Sequence, residues 1–113
     1  MSLQKSPRLE IPKLLKLANG MPCQSCGCQD GTVVMAHSNS AIHGKAKGMK
    51  AHDCYVAALC HRCHSWLDSG NGDLQDVNGF IWSANRVEKL EFFRRAMEAT
   101  TLYLWRNGLV VVK

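Results

Sequence analysis

The amino-acid sequence predicts a small α+β domain stapled by a zinc ion. Three observations carry that expectation. Two Cys-x-x-Cys pairs, Cys23/Cys26 and Cys60/Cys63, offer four thiolates, the ligand set of a closed tetrahedral zinc site. Between them, the β-branched run Thr32-Val33-Val34-Met35 and the apolar run Cys54 to Leu59 have the length and content of strands. Beyond them, the segment from about 83 to 107 repeats apolar residues at helical spacing.

With 113 residues the chain fits one domain, small enough that an internal metal staple adds usefully to its stability. Fourteen Lys and Arg against nine Asp and Glu give a net charge of +5, which suits a polyanionic partner but does not by itself identify one. Six cysteines in so short a chain raise the question of disulfides. No leading apolar run resembles a secretory signal, and thiols paired beside histidines point to metal in a reducing cytosol. No apolar run is long enough to cross a bilayer as a helix, so no membrane partner is expected.

In chain order, residues 1 to 11 are polar and basic and read as an unstructured arm. Pro12 to Ala18 opens with a first-turn proline and stops at Asn19-Gly20, a short helix at most; residues 1–19 thus form an arm and helix ahead of a domain at 20–113. The first knuckle, 23–28, contains Cys28 as well. The Cys23/Cys26 spacing is the better one, with Cys28 as the alternate. The first strand ends at Ala36-His37, where a histidine projects at the start of a long polar loop bearing Lys45, Lys47 and Lys50. Those lysines read equally as solubilising charges or as phosphate contacts. Cys54 to Leu59 reads as a second strand pairing with 32–37, although Ala57-Ala58 also suits a helix.

The second knuckle, 60–63, leads into a short helix beginning near His64 and stopped by Ser69-Gly70-Asn71-Gly72. His64 and Asp68 stand four apart, so on that helix they share a face and can form a second metal centre beside the first. Residues 73 to 80 are turn-rich. The long helix takes Ser83 as N-cap and carries apolar lines through Val87, Leu90, Phe93, Met97 and Leu104, and through Phe92, Ala96 and Tyr103, until Asn107-Gly108. Its exposed side is a candidate homodimer surface. Residues 109–112 read as a strand or a packed arm.

The order of these elements, from knuckle half through histidine-ended strand, loop, strand and knuckle half to histidine-led helix, resembles the HNH endonucleases. Their ββα-metal (His-Me finger) fold is often pinned by two Cys-x-x-Cys pairs and closes on Cys-x-x-Cys-His, here Cys60 to His64. Within that superfamily the chain most resembles the small phage and prophage YbcO-like nucleases. The resemblance rests on Ala36-His37 after an apolar strand, a Gly- and Lys-bearing loop, Asp53 seven residues before the second knuckle, Cys63-His64 to Asp68, and a closing helix with Trp105 and Gly108.

That resemblance implies a metal-dependent DNA endonuclease in the cytoplasm of a bacterial host. His37 corresponds to the general base, since an imidazole neutral near pH 7 can take a proton from water. His64 corresponds to the ligand of a catalytic divalent ion, Mg2+ or Mn2+ first and Zn2+ or Ni2+ as alternatives, with Asp68 as second ligand. Lys45, Lys47, Lys50 and Arg62 are the expected contacts to the DNA backbone. Two positions depart from the pattern. Ala36 fills a slot that often holds a metal ligand, and Tyr55 fills that of the middle asparagine, leaving Asp53 to orient His37 or to hold the loop.

Each assignment has a duller counterpart. His37 can be a structural histidine, Asp68 a helix cap, His61 a replacement zinc ligand, and His43 and His52 solvent or phosphate contacts. The counterpart function is a non-catalytic zinc module that binds nucleic acid or a phage protein. Weaker still is a structural adaptor acting through the long helix.

Overall fold

A computed structural model of the chain describes residues 10–39, 45 and 52–109. The expectations for residues 1–9, for His43, Lys47 and Lys50, and for Val110 to Val112 therefore lie outside the described residues. Among the described residues the architecture is α+β, with three α-helices and two small antiparallel sheets. None of the helices is long and apolar enough to cross a membrane.

Pro12 sets the first turn of α1 (Pro12–Lys16), which tightens into a 3-10 turn over Leu17–Gly20. The first sheet pairs β1 (Val34–His37) with β2 (Val56–Leu59) in the register Val34↔Leu59, Met35↔Ala58, Ala36↔Ala57 and His37↔Val56. Both strands are shorter than their apolar runs suggest, because Cys54 and Tyr55 lie in the turn that enters β2. All four β2 residues are buried, since β1 lies beside the strand and α3 (Arg86–Arg106) packs across it. Burial on both faces explains why β2 reads as a continuous apolar run rather than an alternating one.

Leu59 delivers the chain directly into α2 (His61–Ser69), whose N-cap is Cys60. The helix thus begins three residues earlier than the expected start near His64, and Cys63 and His64 are both helical. Trp66 closes its buried face, donating from Nε1 to the Gly72 carbonyl at 2.6 Å and stacking obliquely on Phe92 with centroids 5.0 Å apart. Gly70 ends the helix over that ring, where a Cβ would lie 2.6 Å from the Trp66 side chain.

Residues 73–80, expected only to be turn-rich, belong to a hairpin of two-residue strands, β3 (Leu74–Gln75) and β4 (Ile81–Trp82). Strands so short leave no periodicity to read. The turn is built by Asp76, whose Oδ1 accepts the amides of Asn78 and Phe80 while Oδ2 accepts the Trp82 indole at 3.0 Å.

Helix α3 takes Asn85 as its N-cap, not Ser83. Asn85 Oδ1 accepts the Glu88 amide at 2.9 Å, and the Glu88 carboxylate in return accepts the Ser83 amide and the Asn85 side-chain amide. The buried line is Phe92, Phe93, Ala96, Thr100 and Leu104. Val87 and Leu90, expected in the core stripe, are exposed at 75 % and 57 %. The helix turns its first two turns' apolar positions away from β2 because packing follows the Phe92 to Leu104 side. At the other end Gly108, at φ +63°, and the bond from the Leu109 amide to the Leu104 carbonyl close the helix as Asn107-Gly108 suggests.

One hydrogen bond fixes α3 on the sheet. The buried Thr100 hydroxyl accepts the Ala58 amide at 2.9 Å and donates to the Ala96 carbonyl at 2.7 Å. Replacing Thr100 by the isosteric Val should strand a buried amide and lower unfolding stability by about 1–3 kcal/mol, whereas Thr100→Ser should recover much of the loss; thermal or urea denaturation measures both.

Candidate functional site

Two groups of side chains, at opposite ends of the β1–β2 ribbon, carry chemistry. The first is the cysteine cluster. The Cys23 carbonyl accepts the Gly27 amide and the Cys23 amide donates to the Cys28 carbonyl, folding 23–28 into a tight knuckle with Gly27 at φ +79°. This knuckle docks on β2 through the bond from the Gln24 amide to the Ala58 carbonyl, 2.8 Å. The second pair sits at the strand-to-helix junction, Cys60 as N-cap of α2 and Cys63 in its first turn. Docking brings the sulfurs of Cys23, Cys26, Cys60 and Cys63 within 4.8 Å of one another, with Cys26 and Cys60 at 3.6 Å.

Those separations fit one metal ion. Four thiolates at Zn–S distances of about 2.3 Å in a tetrahedron stand about 3.8 Å apart. A hydrogen bond from Cys63 holds the Cys23 thiol down to about 4, the same bond followed by burial pushes Cys63 up, and burial pushes Cys60 up to about 11. Sulfurs this close share protons or share a cation. The positive end of α2 also favours thiolate at its N-terminus. Arg62, expected to contact nucleic acid, sits beside the Cys26 thiol, which raises the basicity of its guanidinium. Cys28 stays outside the cluster, its thiol pushed up by the neighbouring Asp30. His61 is also outside, its amide bonded to Thr32 Oγ1 and its ring 3.5 Å from Ser65 Oγ.

The second group lines an open cleft of about 450 Å³. At the end of β1, His37 Nε2 lies 2.8 Å from Oδ1 of Asp53. The carboxylate is buried, 1 % exposed, and its Oδ2 accepts the Ile11 amide at 2.6 Å. Asp53 therefore ties the residues ahead of α1 to the strand end and orients the His37 ring through Nε2. The register explains the meeting. His37 pairs with Val56, and the Ser38 amide bonds to the Tyr55 carbonyl, so the ladder runs back toward Asp53.

His64 and Asp68 project from α2 into the same cleft, with Nε2 3.5 Å from Oδ2 and side-chain exposures of 36 % and 55 %. Lys45 lines it too, so His37, His64, Asp68 and Lys45 are brought together, while Arg62 is not among the lining residues. Ala36, Ser38 and Asn39 complete one wall and Leu15 of α1 another. Sequence reading overlooked Asn39 and Leu15. For Asn39 a signal existed, a polar amide two residues past a strand-ending histidine; for Leu15 none did, because α1 reaches the cleft through tertiary contacts, the packing of its leucines on the core and the Ile11–Asp53 bond. His52 instead packs near Tyr55, ring centroids 6.3 Å apart. No family model, no curated protein and no solved structure gives a significant match to this chain.

Cys60→Ser or Cys63→Ser should abolish stoichiometric binding of added zinc and lower the melting temperature by more than about 10 °C, because metal affinity and folding are coupled. Cys28→Ser should leave both unchanged. Metal content and thermal melts of the three variants test the assignment. Zinc loading should also release protons from Cys60 and Cys63, so retention falls on acidification.

Proposed function

We propose that this chain is a metal-dependent endonuclease of the HNH type that hydrolyses DNA phosphodiester bonds and is encoded by a phage or prophage. The observation that carries the reading is a histidine locked by a buried carboxylate at a strand end, facing a histidine and an aspartate on the following helix across one basic-edged cleft. In this reading the four-cysteine site holds structural Zn2+ and takes no part in the chemistry. It fixes where β2 ends and α2 begins.

A phosphodiester is shielded from attack by its own negative charge. Hydrolysis needs a base to make hydroxide and positive charge to meet that which grows on phosphate and leaving oxygen. His37 takes the proton from water, and Asp53 orients the ring and stabilises the imidazolium that forms. His64 and Asp68 would hold the catalytic divalent ion, Mg2+ or Mn2+ before Zn2+ or Ni2+, which would supply positive charge at phosphate. Ala36 offers no ligand atom, and Mg2+ tolerates a site with few protein ligands. Lys45, with Lys47 and Lys50 of the same loop, contacts the phosphate backbone, which makes binding weaken as salt rises.

Supercoiled plasmid incubated with the purified protein should be cut in Mg2+ or Mn2+ and spared in chelator. His37→Ala should cut about 10²- to 10⁴-fold more slowly while retaining zinc and DNA affinity. His64→Ala should lose metal-dependent cutting altogether. Asp53→Asn should fall between wild type and His37→Ala. Absence of cutting by any preparation, or equal cutting by all, would overturn the reading in favour of a zinc module that binds nucleic acid without cleaving it.

A further inference from the structure

Ser25 lies between Cys23 and Cys26 in the first knuckle and is buried, 6 % exposed. Among the described residues its hydroxyl is the one buried side-chain oxygen or nitrogen that has no hydrogen-bond partner. Other deeply buried polar side chains are met, Thr100 by Ala58 and Ala96, and Asp53 by Ile11 and His37. A buried hydroxyl left unmet costs about 1–3 kcal/mol. Such an exception in a core asks for an explanation.

The backbone around Ser25 is already committed. Its carbonyl accepts the Val77 amide at 2.7 Å, the Gln24 amide donates to the Ala58 carbonyl at 2.8 Å, and Cys23 closes the knuckle on Gly27 and Cys28. Hairpin on one side and strand on the other clamp the residue, so the hydroxyl has only its own rotation to find a partner. What lies beside it is sulfur. The bond to Cys23 and then burial push the Cys63 thiol up, and the Ser25 hydroxyl acts on that same sulfur in the opposite direction, as a donor does. A thiol sulfur is a weak acceptor, whereas a charged acceptor roughly doubles the strength of a hydrogen bond.

The sulfurs of Cys23, Cys26, Cys60 and Cys63 lie within 4.8 Å of one another, and cysteine ligates a metal as thiolate. Four thiolates around one divalent ion leave net negative charge in a buried place, and donors to the ligand atoms are what hold such a site in shape. We infer that Ser25 is a positioning residue of the metal centre, its hydroxyl donating to the Cys63 thiolate when the four cysteines hold a metal ion. The hydroxyl is then a group built for the loaded state. It is unmet while Cys63 bonds Cys23 through its proton, and met once metal binding has released that proton to solvent. The inference rests on the four-cysteine metal site and stands whether or not the cleft cuts DNA.

Cobalt(II) is the probe. Its sulfur-to-cobalt charge-transfer band follows the electron density on the thiolates, while its visible d–d bands report tetrahedral geometry separately. The full chain loaded with Co2+ should show both. A wild type that shows neither would remove the four-cysteine site, and the inference with it. In Ser25→Ala the charge-transfer band should move to longer wavelength, because a thiolate without its hydrogen bond gives up an electron more easily, and the d–d bands should stay in place. Competition with a chelator should find zinc held about tenfold less tightly by Ser25→Ala. With wild-type bands present, a charge-transfer band unmoved in Ser25→Ala would overturn the inference, whatever the affinity does, and leave the hydroxyl to a trapped water. So would altered d–d bands together with lost helix content by circular dichroism, the signature of a serine needed only to fold the knuckle.

Discussion

A two-stranded ribbon with four residues per strand cannot hold itself together in water, and the fold of this chain is a set of answers to that constraint. The ribbon is anchored at one end by the cysteine cluster, which joins a knuckle before β1 to the junction after β2. It is covered on its face by α3 through the Thr100 bridge to Ala58. Even the β3–β4 hairpin contributes, since the Val77 amide donates to the Ser25 carbonyl and presses the turn onto the knuckle. Because α2 starts on the residue that ends the ribbon, the direction of His64 and Asp68 follows from the position of the sulfurs.

The opposite end of the ribbon is held by a charge. Burying a carboxylate is costly unless its lone pairs are met, and Asp53 meets them with the Ile11 amide and the His37 ring. The arrangement is structural and chemical at once. It brings the residues ahead of α1 against the ribbon, giving the cleft its Leu15 wall, and it orients the strand-end histidine.

Helix α3 serves two masters. Its buried side links three elements through Phe92, whose ring lies 5.0 Å from Trp66 of α2 and 5.9 Å from Trp82 of β4. On its flank Arg95 lies over the Phe80 and Trp82 rings while also pairing with Glu91, which together with Arg94 holds that carboxyl down to about 2. The wide apolar pattern of the helix is thus two stripes rather than one, and only the one carrying Phe92 and Ala96 belongs to the core.

What the sequence determined by itself are the features set by fixed spacing: the two Cys-x-x-Cys turns, the i,i+4 relation of His64 and Asp68, the Asn107-Gly108 stop, and two apolar runs of strand length. Each depends on local geometry that neighbouring residues dictate. Even the true N-cap was legible, as Asn85 and Glu88 three apart. Tertiary structure alone decided which stripe of α3 is buried, that Arg62 lies at the sulfurs rather than in the cleft, and that Asp53 meets both His37 and Ile11. Those outcomes depend on the pairing register and on contacts as distant as the 42 residues between Ile11 and Asp53. No local pattern encodes them, because the partner that decides each one is elsewhere in the chain until the ribbon closes.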